Sequence, residues 1–359
     1  SELSVLATSR EALSLDGEQV LRVPSLGSGP DGPAVELFLE RARARNPSLT
    51  IDASERVTIG RICAALDGLP LAIELAAGRA DVMAPSEIEA QLTDRFALLG
   101  GRRRGGRSRT LAATLDWSYD LLHDHERRFF EELSVFAGGF NVDAVTEVTC
   151  GEPAETIDLI QLMVGKSLVE SEQHRSGRRF RMLETVRQYA QSKLTETGEA
   201  ARLNDRHLDW MATLITRYDE LLGEDRHLEA MALINDDQHN LRAALDWSAA
   251  SGRADAGLDL IVRSDGWWRN TLNMTEALDR AAELYERADA ELDPVLRVRA
   301  LTSMAFFTTY IPGRADVGAA YVAASRAALD DIDDEIERLR LRIMSNITRV
   351  GRPDPDVGA

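Results

Sequence analysis

Beyond Ala34 the sequence repeats apolar residues at three- and four-residue spacing over most of its length. Only one stretch breaks into a strand-turn-strand pattern: Leu168 to Glu172, a His174 to Gly177 turn, then Arg178 to Met182. The first spacing lines one face of a helix, and the second pattern builds a hairpin. The chain is therefore expected to be mainly α with a small two-stranded element. At 359 residues it is long enough for two or three units that each bury a core, and its 44% hydrophobic and 28% charged content is ordinary for globular proteins.

The first thirty residues depart from this. Val5, Leu6 and Ala7 lead into Thr8, Ser9 and Arg10, as where a buried parallel strand delivers polar side chains at its carboxyl end. A helix or turn near Glu11 to Leu15, a second strand at Val20 to Val23 and the connector Gly27 to Pro33 follow. Two strands cannot form a core alone, so their edges need partners from elsewhere. The Arg10 fork suits phosphate oxygens, but a strand-terminal arginine more often makes a surface ion pair.

Between Ala34 and Leu99 several short helical patterns read as a small bundle. Inside it, Gly68 can close one helix in a left-handed conformation and Pro70 can start the next, so that Gly68-Leu69-Pro70-Leu71 forms a tight corner. Pro70 could face a flat apolar ligand or serve packing alone. No G-x-x-x-x-G-K-[ST] phosphate loop occurs. Gly100 to Arg109 has glycines and arginines and no acid, and suits a solvated linker or, as the alternative, an arm that contacts phosphate.

From Thr110 the order is helix, helix, Gly138-Gly139 turn, helix capped by Asn141, helix, hairpin, then a helix ending at Gly198. This is a winged-helix order, with Trp117, Tyr119, Phe129, Phe130, Phe136 and Phe140 as its expected core. Arg175, Arg178, Arg179 and Arg181 on the wing favour DNA. The helix Thr156 to Val164 opposes it, presenting one acid and no arginine where base-reading groups are needed. The net charge of -18 weighs the same way, and DNA is not the expected partner.

After Glu199, Ala277, Ala281, Tyr285 and Ala288 are echoed by Ala315, Ala319, Tyr321 and Ala324, with the tyrosines 36 residues apart. The echo is close to a tetratricopeptide-like period, which predicts stacked helix pairs with a groove for a protein or peptide. Trp267, Trp268, Phe306, Phe307 and Tyr310 are candidates for that groove or for the core. His123 and His125 flank Asp124 without a third ligand, and the acidic run Asp330 to Glu337 lacks calcium-loop spacing. Cys63 and Cys150 read as reduced thiols, no stretch approaches a membrane span, and a cytoplasmic location is expected.

Seven stretches occur in the order LATSREAL, CAALDGLPLAIELAA, TLAATLDWSYDLL, RRFFEELSVFAGGF, KSLV, RFRMLETVRQYAQSKL and HNLRAALDW. Together they closely resemble the bacterial STAND ATPase regulators, relatives of plant and animal NB-ARC switches. That group includes proteins described as LuxR-type transcriptional regulators and others fused to adenylate cyclase domains. The likeness covers about Leu3 to Arg287. It implies four regions: 1–33, the end of a P-loop NTPase α/β sheet; 34–105, a helical bundle with a basic linker; 106–198, a winged helix; and 199–359, tetratricopeptide-like repeats.

By the same resemblance Arg10, beside Thr8 and Ser9, senses the terminal phosphate, and Gly68, Leu69, Pro70 and Leu71 lie against adenine. Met182-Leu183-Glu184 aligns with the family's Met-His-Asp signature, so Glu184 keeps the acid while the imidazole is absent. The phosphate loop and the magnesium-holding strand are expected upstream of Ser1. ATP or ADP thus belongs to a longer parent, and this chain alone is expected neither to bind nucleotide tightly nor to catalyse. The implied function is the sensor and relay portion of an ATP-dependent signalling or transcriptional regulator, whose partners are the upstream NTPase sequence, a protein or peptide on the repeats, and copies of itself in a nucleotide-driven oligomer. Two alternatives stand beside it: a non-catalytic helical-repeat scaffold, and a winged-helix DNA-binding regulator.

Overall fold

A computed structural model describes residues 18–21, 23–29, 31–45, 51–80, 82–92, 111–174, 177–288, 292–335 and 338. Its packing divides into two units. The first takes the described residues up to Ser134, with Gly151–Gln173 and Arg178–Glu199; the second takes Val135–Cys150, His174–Gly177 and the described residues from Ala200 onward.

The first unit begins with the expected bundle: α1 (Pro33–Arg45), α2 (Ala53–Ala65), α3 (Pro70–Ala77) and α4 (Pro85–Gln91). Local chemistry sets the starts. Asp52 caps α2 by accepting from the Glu55 N–H at 2.8 Å, while Glu55 Oε2 accepts from the Asp52 N–H at 3.0 Å. Pro70 and Pro85 occupy first-turn positions where no N–H is needed. Phe38, Ile59, Ile62, Cys63, Leu66, Ile73 and Ile88 are buried, each aliphatic or aromatic side chain contributing about 2 kcal/mol. The second strand expected at Val20–Val23 is not formed. Its described residues carry no ladder, and Val20, Leu21 and Val23 are exposed, because no neighbouring strand in the described chain offers hydrogen bonds.

The same unit continues with α5 (Leu111–Asp120), α6 (Asp124–Glu132), a 3-10 turn (Leu133–Val135) that it shares with the second, α8 (Pro153–Gly165), the hairpin β1 (Glu170–His174) and β2 (Gly177–Arg181), and α9 (Glu184–Thr197). Among the described residues this hairpin is the sheet. Tyr189 Oη donates to Asp116 at 2.7 Å and Tyr119 Oη donates to Glu131 at 2.5 Å, and the two rings meet edge to face. Burial and these carboxylates push both phenols well above the ordinary tyrosine range. Gly198, at φ 79°, ends α9 as expected. The basic linker and the side chain of Trp117 lie outside the described residues.

The second unit opens with α7 (Val142–Thr149), capped by Asn141, whose Oδ1 accepts from the Ala144 N–H at 2.8 Å. Helix α7 packs on α10 (Ala200–Gly223). There follow α11 (His227–Ser251), α12 (Ala254–Arg263), the short α13 (Asp265–Asn270), α14 (Met274–Arg287), α15 (Pro294–Thr308) and α16 (Ala315–Ala328). Phe136 and Phe140, expected in the winged-helix core, belong here. Phe136 stands 5.2 Å from Phe140 and meets His207 and Trp210 edge-on, because helix α10 supplies the apolar cover.

Trp267, Trp268 and Phe307 are core residues of this unit, while Tyr310 is exposed. The alanine echo is only half realised. Ala277 and Ala281 are buried in α14, but α16 buries Gly318, Ser325 and Ala328 and leaves Ala315, Ala319 and Ala324 exposed. A small-residue stripe is buried only where another helix stacks on it, and α15 meets α16 on a different line, marked by the Thr302–Ser325 hydroxyl pair at 3.0 Å.

Candidate functional site

Helix α2 closes with two successive left-handed residues, Asp67 at φ 55° and Gly68 at φ 63°. Aspartate tolerates this conformation better than most side chains, and glycine is required at the next position. The Gly68 N–H returns to the Cys63 carbonyl, and the Gly68 carbonyl accepts from the Leu26 N–H, both at 3.0 Å. A Cβ at Gly68 would stand 2.2 Å from the Leu26 carbonyl oxygen, so the backbone of residue 26 excludes every other amino acid unless it moves. Leu69 is extended and Pro70 begins α3. Pro70 is exposed, Leu69 and Leu71 are half-buried, and Gly68 is buried.

The corner is joined to a segment 118 residues away. Asp67 Oδ2 accepts from the Thr185 N–H at 2.9 Å and from Thr185 Oγ1 at 3.0 Å. These bonds fall at the start of α9, where the N-cap position is Leu183 and its own side chain gives no cap. Asp67 therefore does from a distance what an N-cap residue does locally, with a negative charge at the positive end of the helix dipole. Next to Thr185, Glu184 accepts from Arg187 Nε and Nη2 at 2.8 Å each and from Gln188 at 3.2 Å. Arg187 Nη1 in turn donates to the Ser134 carbonyl at 3.1 Å.

Of the residues singled out in the sequence, the structure thus brings Gly68, Leu69, Pro70 and Leu71 into one region with Glu184. Thr8, Ser9 and Arg10 lie outside the described residues. Asp67 and Thr185, which make the junction, were missed. The only signals for them were an acid before a left-handed glycine and a hydroxyl beside Glu184.

Among its described residues the wing offers little basic surface. Arg181 pairs with Glu170 and Glu172, both at 2.7 Å, Arg179 is buried, and Arg178 donates to Ser171 at 3.3 Å. Arg175 lies outside the described residues. Helix α8 buries Thr156, Ile160 and Met163 and exposes Glu155, Ile157, Asp158 and Gln161, a face poor in groups for phosphate. In the repeats, a cavity of about 250 Å³ between α11 and α14 is lined by Leu245, Ala249 and Leu284 with Asp246, Arg280 and Glu283, not by the tryptophans. Its charges are paired internally, with Arg280 2.6 Å from Asp246 and Arg287 2.9 Å from Glu283.

No group of three or more His, Cys, Asp or Glu suited to a metal occurs among the described residues. The His123 and His125 rings stack at 6.2 Å, and the His123 N–H serves the α6 cap by donating to Glu126 at 2.9 Å. Burial pushes the Cys63 thiol up to about 12, whereas Cys150 is exposed. No helix among the described residues is long and apolar enough to cross a membrane.

Residues 122–195 match the winged helix-turn-helix domain family. Over 331 residues, 90% of this chain, the sequence is 37% identical to proteins of Mycobacterium tuberculosis and Mycobacterium bovis named, provisionally, as HTH-type transcriptional regulators. Over 204 residues it is 44% identical to a Mycobacterium tuberculosis protein named only as uncharacterized, covering 55% of this chain. The chain spans 37% of the length of the first relatives and 51% of the second. A crystal structure of a STAND protein with a tetratricopeptide repeat sensor from Pyrococcus horikoshii aligns over 88% of this chain and 50% of its own, at 9% identity and a TM-score of 0.26, a likeness too slight to inform function.

Proposed function

We propose that this chain is the relay portion of a STAND-type ATP-dependent regulator. In this reading the 67–71 corner and the start of α9 close over ATP or ADP, whose phosphates are held by Arg10 and by sequence preceding Ser1. The observation that carries the reading is the Asp67–Thr185 junction. Resemblance assigns both segments to the nucleotide, and two hydrogen bonds join them. The junction is half-exposed at Asp67 and polar, so it can open and close at small cost, as a switch element must. The winged-helix match and the mycobacterial relatives named as transcriptional regulators support a regulatory output. The pairing of Arg181, the burial of Arg179 and the acidic face of α8 favour protein docking over DNA for the winged helix itself.

Calorimetry with ADP tests this on the chain as given and on one extended upstream to a phosphate loop. Only the extended chain is expected to bind tightly, with Arg10→Ala and Pro70→Ala each weakening it by tenfold or more, about 1.4 kcal/mol. Binding by neither chain, or unchanged affinity in both variants, overturns the proposal.

A further inference from the structure

The HNLRAALDW stretch contains a buried amide whose partners lie a hundred residues earlier. Asn240, on α11, is fully buried. Its Oδ1 accepts from the Ala137 N–H at 2.8 Å, and its Nδ2 donates to the Gly139 carbonyl and to Asp237 Oδ1, each at 2.8 Å. His207 Nε2 lies 3.4 Å from the same Oδ1. One side chain therefore satisfies both a donor and an acceptor of the Ala137–Gly139 turn, the bidentate match that an amide alone supplies.

The turn is shaped for this approach. Gly138 and Gly139 have φ of 87° and 129°, and a Cβ on Gly138 would stand 2.7 Å from His239 Cβ. On the other side of the amide, α11 is broken at Asp237, where φ is -114° and ψ 15°, one turn before Asn240. Beyond the turn comes α7, which buries Ala144, Val145 and Val148, packs on α10, and has its last turn held by the Arg206 donation to the Val148 carbonyl at 3.4 Å. The chain thus leaves the first unit after Ser134, is fastened at Asn240, and returns after Cys150.

We propose that Asn240 is a coupling residue: it fastens the Ala137–Gly139 turn to the broken helix α11, so that a shift of α11 within the repeats carries α7 of the winged-helix sequence with it. The repeats then act on the winged helix through covalently continuous chain, since α7 is a member of both. Disturbing the amide releases α7 from the repeats without unfolding them.

Native-state hydrogen exchange on the whole chain tests this, since it separates local opening from global unfolding. In the unmodified protein, the amides of Ala137 and of Val142–Thr149 are expected to exchange in concert with α10 and α11. Exchange in concert with α6 and α9 instead overturns the proposal without any variant. Asn240→Asp replaces the donor facing Asp237 with a second acid. It is expected to speed exchange in Val142–Thr149 about tenfold while α14 and α15 keep their protection. Combining it with Asp237→Asn restores a donor across the 237–240 pair but not to the Gly139 carbonyl, and is expected to recover only part of the protection. An equal acceleration across α10 to α15, or none in α7, rules the coupling role out.

Discussion

Two of the long-range polar junctions among the described residues differ in the way that matters for switching. At Asp67 the acceptor is a half-exposed carboxylate that water can solvate when it leaves, although the Thr185 it serves is buried. At Asn240 the amide itself is sealed, so its own polar atoms and the buried Gly139 carbonyl would go bare if the junction opened. Equal bond counts therefore mean unequal energies, because the cost of breaking a hydrogen bond depends chiefly on what replaces it. The first junction suits an element that opens; the second suits one that transmits.

Substitutions sharpen this contrast, beginning with the largest effect. Asn240→Ala strands the Ala137 N–H and the Gly139 carbonyl, and is expected to cost about 3 kcal/mol in the local opening of α7 read by hydrogen exchange. Gly68→Ala is expected to cost about 2 kcal/mol or more, since it adds the Leu26 clash to an unfavourable φ, whereas Gly198→Ala, with nothing within 4 Å, is expected to cost about 1 kcal/mol. Asp67→Ala removes only the distant cap and is expected to cost about 1 kcal/mol, with Asp67→Asn losing less. If Asp67→Ala proves as costly as Asn240→Ala, the distinction between an opening and a transmitting junction fails.

Two further measurements have smaller readouts. The Arg242 hydrogen bonds to Glu276, opposed by partial burial and aided by Arg280, hold its carboxyl below the usual range. Its folded value is depressed, so its contribution is present above the unfolded value of about 4.3 and is lost as pH falls through the folded one. Glu276→Gln removes that contribution, so it should lower stability at neutral pH and flatten the acid limb below about pH 4, where variant and parent converge. Under native conditions a thiol reagent should label the exposed Cys150 and spare Cys63, with both labelled in denaturant.

Features decided within a turn or two of chain were legible in the sequence. Asn141, Pro70 and Gly198 each occupy the cap or first-turn position that their chemistry specifies. The hairpin is present, but its first strand runs two residues later than expected and its second one residue earlier; Leu168 and Val169 are buried ahead of the ladder instead of in it. What failed depended on a distant partner. The Val20–Val23 strand needed a neighbour. Phe136 and Phe140 are aromatic enough for either unit, and only the approach of α10 decides between them. The glycine-proline corner was visible as a turn, but nothing in local pattern pairs Asp67 with Thr185 across 118 residues.

The double crossing of the chain between its units has a practical corollary. A recombinant segment ending at Gly198 would carry Phe136, Phe140, Val145 and Val148 but not the helix that covers them, and would present that greasy patch to water. Such a piece should clump or partly melt, whereas one prolonged through Ser251 keeps its lid and should stay monodisperse.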